Sequence, residues 1–151
     1  MPAGNAMVRS DRQGLRTAVR DVFAVPIGIF EWPETDRLNA ELRAAILKRY
    51  VSMPSIVQSA RYAWQSDHHI NRWPEPCFAE LAAMIKEAAG GMAAHMTGGR
   101  ETNARDGWEI VSCWANVNPP GGHSRSHNHM DTGGVFSGVY YVDTGGSDPA
   151  L

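Results

Sequence analysis

Residues 123–131 read HSRSHNHMD and set three of the chain's six histidines and an aspartate within nine positions. Imidazole and carboxylate are ligands for divalent metals, so the question is which of them can reach one ion. On an extended chain, residues i and i+2 share a face about 6.6 Å apart. Two side chains leaning together from there can hold one cation with bonds of about 2.0–2.2 Å. His127 and His129 satisfy this spacing, and so do His129 and Asp131. His127 and Asp131 lie about 13 Å apart on a straight strand, so all three converge only if the chain bends sharply. Two rival pairs therefore stand open, H-N-H and H-M-D. Either suits a centre that takes two ligands from one strand and a third from elsewhere, as the 2-His-1-carboxylate triad of non-haem Fe(II) does. Zn and Mn accept the same donors, so donor type does not name the metal. Short motifs of this kind also arise by chance in polar loops.

The flanking sequence argues for more than chance. The bend PPGG (119–122) precedes the cluster, and VFSGVYYVD (135–143) follows it with strong β character. WEIVSCWANVN (108–118) reads as another strand. It alternates Trp108, Ile110, Ser112 and Trp114 on one face with Val111, Cys113, Ala115 and Val117 on the other. The ligands thus fall at a strand end beside an apolar wall, the concave setting small-molecule sites favour. Asn116 and Asn118 close the first strand, where they could cap the turn or bond a cosubstrate. Tyr140 and Tyr141 alternate, so only one phenol can face a pocket. Trp108 and Trp114 read as core, Ser137 as a lesser pocket candidate, and Arg125 as a solvated loop cation.

Upstream, PETDRLNAELRAAILKRYV (33–51) is helical, with Leu38, Leu42, Ala45 and Ile46 on one stripe, Arg49 closing it and Thr35 placed to cap it. PEPCFAELAAMIKEAAGGMAAHM (74–96) is a second helix opened by Pro74 and Pro76. Its stripe is Phe78, Leu81, Ile85, Ala88 and Met92, and Gly90-Gly91 either ends or weakens it. His95, near its end, is read as structural. DVFAVPIGIFEW (21–32) is an edge strand or two short pieces broken by Pro26. Residues 52–76 are an irregular connection in which His68 and His69, as neighbours, point to opposite sides and do not share a metal. Residues 1–20 form a loose leader with Arg9, Arg12, Arg16 and Arg20 at helical spacing. Helices first and strands last make the class α+β with antiparallel pairing.

The bulk numbers exclude several classes. At 151 residues the chain suits one domain, here 21–151 after the leader. Fourteen basic against sixteen acidic side chains give a net charge of −2, which supplies no reason to propose nucleic acid or an anionic membrane. No apolar run is long enough to span a bilayer, and the N-terminus lacks the apolar stretch of a signal peptide. Cys77 and Cys113 stand far apart, so a reducing cytoplasm is the expectation.

The segment WANVNPPGGHSRSHNHMDTGGVFSGVYYV resembles a family of 2-oxoglutarate/Fe(II)-dependent oxygenases, mostly uncharacterised, from bacteria and phages. The signature it is similar to runs W-x-N, a glycine turn, H-x-H and S-G-V-Y-Y-V. Here these are Trp114 to Asn116, Gly121-Gly122, His127 to His129, and Ser137 to Val142. Met130 stands where the family often has proline. The likeness spans about residues 22–143, taking in both helices. It implies a double-stranded β-helix, or jelly-roll, core with helices packed against it. It also implies Fe(II) chelated by 2-oxoglutarate, which is decarboxylated as oxygen is activated to hydroxylate a C–H bond of an unknown substrate. Matched by position, His127 and His129 are the metal ligands, with Asp131 the rival for the carboxylate role; Asn116 and Tyr140 are candidates for the cosubstrate.

The family takes a further histidine and then an arginine, which pairs with the far carboxylate of 2-oxoglutarate, from later strands. No histidine or arginine follows Tyr141 here. The first expectation is an incomplete chain, inactive alone. The second is strands supplied by a partner chain, as in a homo-oligomer. The third is a short binding domain without activity. A cupin-like metal- or ligand-binding jelly roll without oxygenase chemistry is the alternative from another class.

Overall fold

The computed structural model describes residues 25–56, 59–98, 107–129 and 133–146. The 1–20 leader and Asp131 lie outside them. Helix α1 spans Asp36–Ser52 and buries Leu38, Leu42, Ala45 and Ile46, the stripe its periodicity predicts. Thr35 holds the N-cap position and its carbonyl accepts from Asn39 N–H at 2.8 Å, but its side chain makes no capping bond. That hydroxyl engages the phenol of Tyr140 instead. Met53 is extended (φ −118°, ψ 139°), as the residue before Pro54 must be, and the helix stops there.

Helix α2 spans Pro76–Met96, with Pro76 at its first turn where a missing N–H costs nothing. It runs through Gly90-Gly91 rather than ending there. Gly91 has a packing reason: a Cβ on it would lie 3.0 Å from the Phe30 ring, which crosses the helix at that point. The segment 25–32 is therefore held by side chains, Phe30 also stacking on Trp32 with ring centres 6.0 Å apart, and forms no strand. Over these described residues the expected edge strand does not form: residues 25–31 are all exposed, and no backbone neighbour is paired with them.

The helices join through one core of Leu38, Leu42, Ile46, Trp64, Ile70, Phe78 and Leu81. Full burial of side chains of this size contributes about 1.5–3 kcal/mol each. Two arginines tie the helices at their polar rims, Arg49 through both terminal nitrogens and Arg37 through one. Arg37 reaches both Glu80 oxygens at 2.8 and 2.9 Å, and Arg49 reaches both Glu75 oxygens at 2.9 Å. The Arg49 guanidinium also lies 3.9 Å from the Trp73 ring centre.

Four two-residue strands complete the described fold: β1 (Ala60–Arg61), β2 (Trp64–Gln65), β3 (Asn116–Val117) and β4 (His123–Ser124). A 3₁₀ turn, Ile70–Arg72, follows β2. β1 pairs with β4 and β2 with β3, both antiparallel. Together these form one interrupted ladder in which residues 62–63 on one side face 118–122 on the other. The same alignment continues past both ends, where Arg125 N–H donates to the Ser59 carbonyl and Ser66 N–H to the Ala115 carbonyl. A parallel bridge joins His69 to Cys113.

The partner of 108–118 is thus the stretch 64–69, read from sequence as irregular. The paired part of 108–118 is confined to residues 113–117. Of its two faces, the one bearing Cys113, Ala115 and Val117 meets the core. Residues 135–143, so strongly β by composition, take no part in a ladder among the described residues. β propensity measures fit to a half-buried pleated surface, and here no neighbouring strand provides one. No closed barrel is formed by the described residues, and no helix among them is long and apolar enough to cross a membrane.

Candidate metal centre

The histidine segment is presented by the corner between β3 and β4. Gly122 N–H donates to the Pro119 carbonyl at 2.7 Å, with Pro120 and Gly121 as the central residues of the turn. Gly121 has φ +84°, the left-handed value that the third position of a type II turn demands and glycine adopts without strain. Gly122 is small for a different reason: a Cβ there would stand 2.8 Å from the Tyr62 carbonyl oxygen across the corner. Tyr62 answers on the other strand with φ +52°, so both strands kink together. From this corner β4 and then residues 125–129 run out, with His123, His127 and His129 at alternate positions.

His127 and His129 converge. Their ring centres are 4.9 Å apart with planes at 66°. An imidazole nitrogen about 2.0–2.1 Å from a divalent ion puts its ring centre roughly 3.2 Å away, so two rings at 90–110° around one ion lie about 4.5–5.2 Å apart. The observed separation falls in that range. His127 Nδ1 lies 2.7 Å from the Arg125 carbonyl oxygen. A carbonyl only accepts, so Nδ1 carries the proton and donates, leaving the lone pair of the neutral ring on Nε2. Fixing the tautomer through the non-ligating nitrogen is how metal-binding histidines are commonly oriented. His127 is exposed and His129 half-buried, so the pair is open to solvent on one side.

The half-buried side of His129 is Trp114, whose ring stacks on it with centres 5.4 Å apart and planes at 22°. Trp114 also meets His68, at 5.2 Å and 33°. Trp114, expected in the core, is therefore the wall of the histidine site, and His68 is a half-buried ring while His69 is exposed. Residue-type reasoning missed this because a tryptophan on an alternating strand fits a core equally well. The signal available was its face: Trp114 alternates with Cys113 and Ala115, and those turn to the core. Trp108, also expected in the core, is half-buried against Phe136 at 5.3 Å.

The remaining candidates are more dispersed. Asn116 is exposed on β3, opposite Gln65. Tyr140 packs on the core and donates its hydroxyl to Asn39 Oδ1 of α1 at 2.7 Å. Burial raises its pKa, partly offset by the bonds to Thr35 and Asn39. Tyr141 is the exposed member of the pair. Burial alone pushes the Cys113 thiol up to about 11, which leaves it protonated at neutral pH and a poor metal ligand. Among the described residues no three His, Cys, Asp or Glu side chains are grouped to hold one metal ion. Asp131, the carboxylate candidate, falls outside them. An open recess of about 740 Å³ beside α2, lined by Asn71, Lys86, Glu109 and Ile110 among others, includes neither histidine of the pair.

No family model, curated protein or solved structure matches this chain. The functional reading therefore rests on the residues and their arrangement.

Proposed function

We propose that this chain forms part of a non-haem Fe(II), 2-oxoglutarate-dependent dioxygenase of jelly-roll architecture, with His127 and His129 holding the metal. The observation that carries the reading is the convergence of these two rings at a glycine corner, with the His127 tautomer set for ligation through Nε2. The likeness of the surrounding sequence to the oxygenase signature supports the same assignment. Bound Fe(II) would supply the redox centre for a reaction in which O2 and 2-oxoglutarate give succinate and CO2, one oxygen atom entering succinate and the other converting a substrate C–H to C–OH.

The chain's own contributions are local. The Arg125 carbonyl holds the proton of His127, and Trp114 shields one face of His129 from water. The PPGG turn fixes the direction in which both rings leave the ladder. Asp131, two residues beyond His129 in the sequence, is the rival for the carboxylate role.

Anaerobic titration with Fe(II) and 2-oxoglutarate tests the proposal. The expected result is a weak visible charge-transfer band that His127→Ala and His129→Ala abolish. Metal uptake without that band, and with no effect of 2-oxoglutarate, selects the cupin-like alternative. Failure of both alanine variants to change metal uptake refutes the site.

A further inference from the structure

We propose that Trp114 is a positioning residue for the metal centre, holding the His129 ring in its ligating orientation through offset parallel stacking. The inference rests on the His127–His129 reading and extends it to a residue that donates nothing to a metal.

The geometry is specific. A histidine ring outside the core rotates freely about its side-chain bonds unless something holds it, and freezing such rotation at the moment of metal binding weakens affinity. His127 is held by a hydrogen bond to its own backbone neighbourhood. His129 lies against two rings: the indole of Trp114 nearly parallel to it at 5.4 Å, and His127 edge-on at 4.9 Å. Parallel contact fixes the plane of the imidazole, while the edge contact fixes its rotation toward His127.

The indole is in turn prevented from swinging away. Its backbone lies between two ladder anchors, the Cys113 N–H to His68 carbonyl bond at 2.9 Å and the Ala115 N–H to Ser66 Oγ bond at 2.9 Å. The His68 ring packs on the indole with its Nε2 buried and without a hydrogen-bond partner among the described residues. The stack His68, Trp114, His129, His127 runs from the ladder to the solvent-open pair.

Two consequences can be measured on the whole chain with Co(II) alone as the probe, by calorimetry and by tryptophan fluorescence. Trp114→Phe keeps a flat ring in place. It should bind Co(II) within about threefold of the parent while losing most of the metal-induced quenching, since the nearest indole is gone. Trp114→Leu keeps apolar bulk without a plane, and should weaken Co(II) binding by roughly tenfold or more, the usual scale for loss of a residue that orients a ligand. Far-UV circular dichroism verifies that each variant is folded. Parent-like affinity in a folded Trp114→Leu overturns the inference, and so does undiminished quenching in Trp114→Phe, the readout that decides if Trp114→Leu does not fold. In either case loss of binding in His129→Ala leaves the metal site standing. Unchanged binding in both His127→Ala and His129→Ala removes the site itself.

Discussion

The helical layer and the segment after the histidines carry apolar residues of the same kinds and treat them in opposite ways. Leu42 and Phe78 on α1 and α2 are 0% exposed, whereas Val135 and Val139 remain 74% and 77% exposed. A helix satisfies its backbone internally and needs only one covered face, which the other helix and the 64–70 segment provide. An extended segment needs a hydrogen-bonded neighbour before its side chains gain a surface to pack on. Residues 135–142 reach the core only through Tyr140 and Val142. What separates the regions is the availability of a partner, and hydrophobicity does not.

Core truncation should widen the contrast most. Phe78→Ala should cost about 3–5 kcal/mol in denaturant unfolding, and Val139→Ala less than about 0.5 kcal/mol. Equal losses at the two positions would show that 135–142 is packed in solution after all. The bidentate rim comes next. Arg49 holds the Glu75 carboxyl below its usual range. A carboxylate depressed in the folded state stabilises above its unfolded pKa, and that contribution disappears as pH falls through the folded value. Glu75→Gln should therefore destabilise by about 1 kcal/mol at pH 7, with the gap to the parent closing under acid. Urea midpoints measured across that range provide the check.

Smaller effects sharpen the view of how the C-terminal segment is tethered. Tyr140→Phe removes the bond to Asn39 and should cost about 1 kcal/mol in the same assay. At the corner, Gly121→Ala forces a side chain into φ +84°. It should cost about 1–2 kcal/mol while disturbing Co(II) binding more than it disturbs the helical core. Calorimetry set beside the unfolding curve separates the two.

Much of the helical half was legible. Leu38, Leu42, Ala45, Ile46 and Phe78 repeat at helical spacing, and Pro76 marks the start of α2, because helix signals are local and need no knowledge of the rest of the chain. The glycine corner was legible for the same reason: a proline followed by glycine states its own turn. The ladder was not. Residues 60–65 lack the composition of a strand, yet they pair, and 135–143 has it and does not pair among the described residues. Gly91 was ambiguous until Phe30 was seen lying on it.

For the histidines, the sequence by itself established that two rings one residue apart could meet, because alternation along an extended chain is a property of the backbone alone. It left the choice between His129 and Asp131 open. Only the folded chain decided that Trp114 stands against His129 and that the Arg125 carbonyl accepts a hydrogen bond from His127 Nδ1–H. Which face of a tryptophan is covered depends on what another part of the chain brings to it, and no local pattern carries that information.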